Sequence, residues 1–169
     1  MRTTQRIQRI IAPEFSADLD GRDLDSLRAM RAECSSIEHA VSYTRRLAQG
    51  RFEILTAEQE RRASGASVGD LVADLPRILG DDRGRASAAD ARHTITDEPV
   101  VDIEWGPRGR LVADDSLVTL DGLSDAELTD MRDALGDFER ELSEYRRELH
   151  RVLDAIEREI ATRAAADVG

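Results

Sequence analysis

Apolar residues recur along two long segments at alternating steps of 3 and 4. The first set is Leu27, Met30, Cys34, Ile37, Val41, Thr44, Ala48 and then Leu55. The second is Leu128, Met131, Leu135, Phe138, Leu142, Tyr145, Leu149, Val152 and Ile156. This is the heptad seam of helices that pack against a partner helix. It predicts one helix over 23–63 and a second over 124–164, each on the order of 60 Å at 1.5 Å per residue. The first seam is broken at Arg51, and Gly50 costs that helix about 1 kcal/mol relative to alanine.

Both starts carry helix-opening chemistry. Ser124 with Glu127 three residues on is a capping box, and Asp23 holds the equivalent N-cap place in the first segment. Each is preceded by Asp-Gly, a turn signal. A shift of 101 residues aligns "LDGRDLDSLRAM" at 19–30 with "LDGLSDAELTDM" at 120–131 without a gap. The register continues through Glu38 with Glu139, Ser42 with Ser143 and Arg45 with Arg146, so the chain is an internal duplication.

Two matched seams in one chain pair with each other. The predicted fold class is all-α: a long antiparallel coiled-coil helical hairpin with a partly ordered connection. An N-terminal segment, 1–22, interleaves Arg with Ile before Pro13 and reads as a frayed terminus more than as a docking segment. The connection, 64–122, contains one short amphipathic helix, "SVGDLVADLPRIL", and a Gly/Asp/Arg/Ala-rich linker over 80–92. An extended stretch follows, "VVDIEWGPRGRLV", with a turn at 106–109. The final region, 123–169, is the second helix. Trp105 reads as packing against the hairpin, and Cys34, on the seam, as core.

Beside the seam lies a polar stripe. Glu38, Ser42, Arg45, Gln49 and Glu53 follow one another at spacings of 4, 3, 4 and 4. At ~100° per residue they share an arc of about 80°. Glu139, Ser143, Arg146, His150 and Asp154 repeat the arrangement in the second helix. Antiparallel pairing sets both stripes on one side of the hairpin, which suits a ligand that is itself two-fold symmetric. Coiled coils also use Glu and Arg at these places for interhelical ion pairs. The repetition of Ser and of the terminal acid is not required by a zipper. Arg presents a planar fork to phosphate oxygens or the O6/N7 edge of guanine, and a carboxylate accepts from guanine N1 and N2. Guanine with phosphate satisfies this set better than adenine.

Composition narrows the classes further. The net charge of −11 disfavours broad contact with a nucleic-acid backbone, so no direct DNA binding is expected. All 24 basic residues are Arg, first of all a coding bias, though Arg also suits bidentate recognition. The single cysteine and the lack of any long apolar run point to the cytoplasm, with no disulfide and no membrane span. No nucleophile–base pair, metal cluster or phosphate loop is present, so neither catalysis nor a metal is expected.

At the stripe the sequence resembles the RsiG family, cyclic-di-GMP-responsive anti-sigma factors of actinobacteria with the motif Glu-x3-Ser-x2-Arg-x3-Gln-x3-Asp. "EHAVSYTRRLAQGRFE" matches with Glu53 in place of Asp, and "ERELSEYRRELHRVLD" matches with His150 in place of Gln. The resemblance implies an antiparallel hairpin that binds a dimer of cyclic di-GMP, about two nucleotides per chain, through these ten residues. So loaded, it sequesters a sigma factor of the flagellar or sporulation type. The alternative is a structural coiled-coil adaptor that oligomerises without nucleotide.

Overall fold

A computed structural model of the chain describes residues 3–65, 105–112 and 120–166. Every element in them is helical: α1 (Thr3–Ile11), α2 (Leu24–Ser64) and α3 (Asp125–Ala166), with 3₁₀ turns at Pro13–Ser16, Gly106–Val112 and Leu120–Gly122. The two long helices match the expected 23–63 and 124–164 to within two residues at each end. Their caps are those the sequence announced. Ser26 donates its backbone N–H and its hydroxyl to Asp23 at 2.7 and 2.8 Å. Ser124 and Glu127 close the reciprocal box, with the Ser124 backbone N–H donating to Glu127 at 2.8 Å and the Glu127 N–H to Ser124 Oγ at 3.3 Å. The contacts divide the chain into two compact units.

The first unit takes in 3–44, 105–106 and 141–166 of the described residues. Its buried side chains are Leu27, Cys34, Ile37 and Val41 of α2 and Leu142, Leu149, Val152 and Ile156 of α3. Fully burying such a side chain contributes about 1.5–3 kcal/mol, so the seam supplies the main cohesion. Partner numbers fall on α3 as they rise on α2: Arg31 donates to Glu157 at 2.9 Å, and Cys34 Sγ lies 3.6 Å from the Leu149 carbonyl. Burial pushes the Cys34 thiol up to about 12, with Glu38 and Glu33 adding to it, so it is a neutral core group. Trp105 donates its indole N–H to Thr44 Oγ1 at 3.0 Å, packing on the helix as expected.

The N-terminal segment departs from the expected frayed end. It forms α1, because Ile7 and Ile10 stand three apart on one face and are both fully buried. Arg9 pairs with Glu33, and its guanidinium lies 5.4 Å over the Phe15 ring. Pro13 ends the helix by holding Ala12 in an extended conformation, at φ −63° and ψ 139°. At the other side of this corner, Arg163 of α3 binds the carbonyls of Leu19, Asp20 and Arg22.

The second unit takes in 45–65, 107–112 and 120–140. Ala48, Leu55, Leu128, Leu135 and Phe138 are buried in it. Phe52 lies over Gly136, where an added Cβ would sit 3.3 Å from the ring, so the glycine makes room for the aromatic. The seam defect at Arg51 has a partner: its guanidinium donates to the Leu111 carbonyl at 3.1 Å. One heptad on, Glu58 is also a buried seam position, at 2% exposure. It accepts from Arg61 Nε and Arg62 Nε, both at 2.7 Å. Arg62 in turn reaches the carbonyls of Leu120 and Leu123 and the carboxylate of Asp125.

The Arg61 hydrogen bond, outweighing burial and joined by Arg62, pulls the Glu58 carboxyl down to about 2 from a usual 4.5. A depressed pKa means that its contribution is complete above about pH 4.5 and is lost as pH falls toward 2. Urea denaturation across that window is expected to show Glu58→Gln losing about 2 kcal/mol at neutral pH. The variant should also show a shallower acid limb than the parent chain. Parallel acid limbs would mean that Glu58 contributes nothing through its charge.

The turn expected at 106–109 is present as a 3₁₀ turn that continues to Val112, so residues 110–112 of the stretch expected to be extended coil as well. Gly106 sits at φ 61°, a conformation open to glycine, and Pro107 follows with its φ already helical, so the chain coils there. The rest of that stretch, 100–104, lies outside the described residues, as do the short helix over 67–79 and the linker over 80–92. Among the described residues no helix is long and apolar enough to cross a membrane, and no cluster of metal-ligating side chains forms.

Candidate functional site

The ten residues of the two stripes are sorted by unit and not by motif. The first motif is divided between Ser42 and Arg45, and the second between Glu139 and Ser143. Each unit therefore joins the acidic end of one motif to the basic residue of the other.

In the first unit, Glu38 and Ser42 of α2 meet Arg146 and His150 of α3. The Glu38 side chain is 9% exposed and gathers three partners on one oxygen. Ser42 Oγ donates to it at 2.7 Å, Arg146 Nε at 3.3 Å, and His150 Nε2 lies at 3.0 Å. Arg146 Nε also donates to Ser42 Oγ at 2.9 Å. Burial alone would raise the Glu38 carboxyl, but the Ser42 hydroxyl, His150 and Arg146 outweigh it and hold the group below the ordinary carboxylate range. The carboxylate is thus ionised and accepts, which assigns the proton on that histidine nitrogen to the hydrogen bond. Ser143 is half-buried and Asp154 is exposed. No hydrogen bond among the described residues draws the Asp154 carboxylate into this cluster.

In the second unit, Arg45, Gln49 and Glu53 of α2 meet Glu139 of α3. Arg45 Nη1 donates to Glu139 at 3.2 Å and to Gln49 Oε1 at 3.1 Å, and Gln49 Nε2 donates to Glu53 at 3.3 Å. Arg45 Nε is buried with no hydrogen-bond partner among the described residues. A buried donor left unmade costs about 1–3 kcal/mol, so this guanidinium retains bonding capacity. The Arg45–Glu139 pair is 20% and 26% exposed, which limits its worth to about 1 kcal/mol at most.

The two clusters correspond under the 101-residue repeat. Arg146 with Glu38 in one unit is the counterpart, by repeat position, of Arg45 with Glu139 in the other. Each cluster offers a guanidinium fork, a carboxylate acceptor and a neutral polar group. They are unequal in one respect: the first has His150 on its carboxylate, and the second has the Gln49–Glu53 chain on its arginine.

The stripe was visible in the sequence at ten positions, and eight of them enter the clusters described. The burial of Glu38 was not visible, because a heptad e position reads as solvent-facing. Glu58 escaped notice for the opposite reason, since a carboxylate on a seam does not register as an apolar repeat. Its signal was the heptad count itself, which lands on 58 after 51 and 55.

No curated protein matches the chain. A family comparison does: the RsiG-like family matches residues 13–79 and 114–169, which include all ten stripe positions. A match over more than half of the length, on the helices that carry both clusters, means that the chain belongs to the RsiG-like family, and membership points to an anti-sigma factor with a sigma factor as its partner.

Proposed function

We propose that this protein is a cyclic-di-GMP-responsive anti-sigma factor that acts in the cytoplasm by binding and not by catalysis. In this reading α2 and α3 form an antiparallel coiled-coil hairpin and take up a dimer of cyclic di-GMP, about two nucleotides per chain. The loaded form then sequesters a sigma factor of the flagellar or sporulation type and blocks promoter recognition by occlusion, without touching DNA. Antiparallel pairing is supported within each unit by descending partner numbers, Arg31 with Glu157 before Glu38 with Arg146 in the first and Arg45 with Glu139 before Arg62 with Asp125 in the second.

The observation that carries the ligand reading is the reciprocal Arg–Glu exchange, with Arg45 Nε buried and without a hydrogen-bond partner among the described residues. Each arginine can present its fork to guanine O6/N7 or to a phosphate, and each glutamate can accept from guanine N1 and N2. These partly buried ion pairs can be exchanged for such contacts, which keep each arginine and each glutamate hydrogen-bonded. The same pairs would serve a structural coiled-coil adaptor, which needs no nucleotide. Ser42 and His150 on the Glu38 carboxylate favour the ligand reading, because a zipper requires neither.

Calorimetry decides between the two. Cyclic di-GMP titrated into the protein, alone and with the sigma factor present, should bind at about two nucleotides per chain, with cyclic di-AMP and GMP much weaker. No heat under either condition would leave the adaptor.

A further inference from the structure

Apart from the two stripe clusters, the first unit has a cavity of about 580 Å³ at the corner between α1, the Pro13–Ser16 turn and the start of α2. Its apolar wall is made by Phe15 and Met30 with two alanines. Its charged groups are Arg9, Arg22, Glu14 and Glu33. The size and the mixture are those of small-molecule sites, a largely apolar hollow with a few convergent polar groups.

The charges are not equally engaged. Glu33 is held by Arg9 and lies 3.8 Å from Arg6. Arg9 is further placed by the Phe15 ring. Arg22 makes no ion pair among the described residues, and its Nε is buried without a hydrogen-bond partner. Its backbone, by contrast, is fixed. The Arg22 N–H donates to the Leu19 carbonyl at 3.2 Å, and its own carbonyl accepts from Arg163 of α3. Arg163 also binds the Leu19 and Asp20 carbonyls at 2.9 and 2.8 Å. A guanidinium without an ion pair among the described residues, on a clamped backbone, is a receptor for a planar oxyanion.

We propose that this cavity is a second binding site, for a monoanionic carboxylic acid with an apolar or aromatic body. Arg22 takes the carboxylate, and Phe15 and Met30 take the body. Glu14 and Glu33 line the same hollow and repel a second negative charge, which selects a monocarboxylate over a phosphate dianion. The chain's overall charge of −11 gives no long-range attraction for anions, so recognition rests on this local arginine.

The test uses two probes of one shape, 4-phenylbutyrate and its uncharged amide, titrated into the isotopically labelled full chain and followed by NMR. The acid should shift the amides of Phe15, Arg22 and Met30 and bind at least roughly tenfold more tightly than the amide, the ratio set by a charge-assisted hydrogen bond. Arg22→Gln should remove that preference and Arg28→Gln should keep it. The substitution spares the bonds to Arg163, which use the Arg22 carbonyl. The acid–amide comparison on the parent chain decides the matter even if the variant folds poorly. Equal binding of acid and amide, shifts confined to other residues, or no shift at millimolar probe would each overturn the site. Cyclic di-GMP binding enters none of these outcomes.

Discussion

Arg45→Ala is expected to weaken cyclic di-GMP binding roughly thirtyfold, and Arg146→Ala to a similar extent. Each substitution removes charge-assisted hydrogen bonds worth about 2 kcal/mol in total, and 1.4 kcal/mol is a tenfold change in affinity. Both arginines are mostly buried, at 20% and 28% exposure, and Arg146→Ala leaves the buried Glu38 carboxylate to Ser42 and His150, so a loss of stability accompanies the loss of binding and is measured separately by urea denaturation. Arg28→Ala is the matched control: its side chain is 62% exposed and, among the described residues, pairs along its own helix with Asp25. Calorimetry of the three variants with the sigma factor present checks the expectation. Equal loss in Arg45→Ala and Arg28→Ala would mean that the stripe is not the nucleotide site, whatever the chain binds. Loss in Arg45→Ala alone would confine the site to the second unit and remove the first from it.

The largest effect on stability is expected at Phe138. Its side chain is 1% exposed in the second unit, and truncation to alanine both loses transfer energy and leaves a cavity. Phe138→Ala should cost about 4 kcal/mol in urea denaturation. Met131, one heptad earlier on the same seam, is only half-buried, so Met131→Ala should cost clearly less, about 1–2 kcal/mol. Similar losses at the two positions would contradict the packing of the second unit.

These two expectations draw on different levels of organisation. The Phe138 prediction follows from a heptad visible in the sequence. The Arg45 prediction needs its partner, and Glu139 lies 94 residues away in the chain. The repeat makes Arg45 and Arg146 equivalent as positions, but it does not state that each meets the other motif's glutamate. That exchange comes from the pairing of the helices, which sorts residues by height along the seam and ignores which copy they belong to. The same pairing buries Glu38 and leaves Asp154 exposed, although the two belong to matched motifs.

The N-terminal segment shows a second limit of local patterns. Nine residues with three isoleucines make a marginal helix in isolation. What stabilises α1 is the burial of Ile7 and Ile10 and the ion pair from Arg9 to Glu33, which are tertiary events. The sequence-based expectation of a frayed end lacked that partner. Arg22 belongs to the same class. Nothing in "LDGRDLD" distinguishes its charge from its neighbours', and only the fold leaves it without an ion pair among the described residues beside a largely apolar hollow.

The sequence by itself determined the two long helices, their caps, the seam and the ten-residue stripe. Capping, heptad phase and motif spacing act within a few residues of the chain and need no distant partner. Only the tertiary structure decided that the motifs exchange partners and that Glu38 and Glu58 are buried carboxylates held by arginine. It alone turned residues 3–11 into a helix and formed the hollow beside Arg22. Each of these depends on groups brought together from separate segments of the chain, where charge, burial and hydrogen bonding are set by neighbours that a local pattern does not contain.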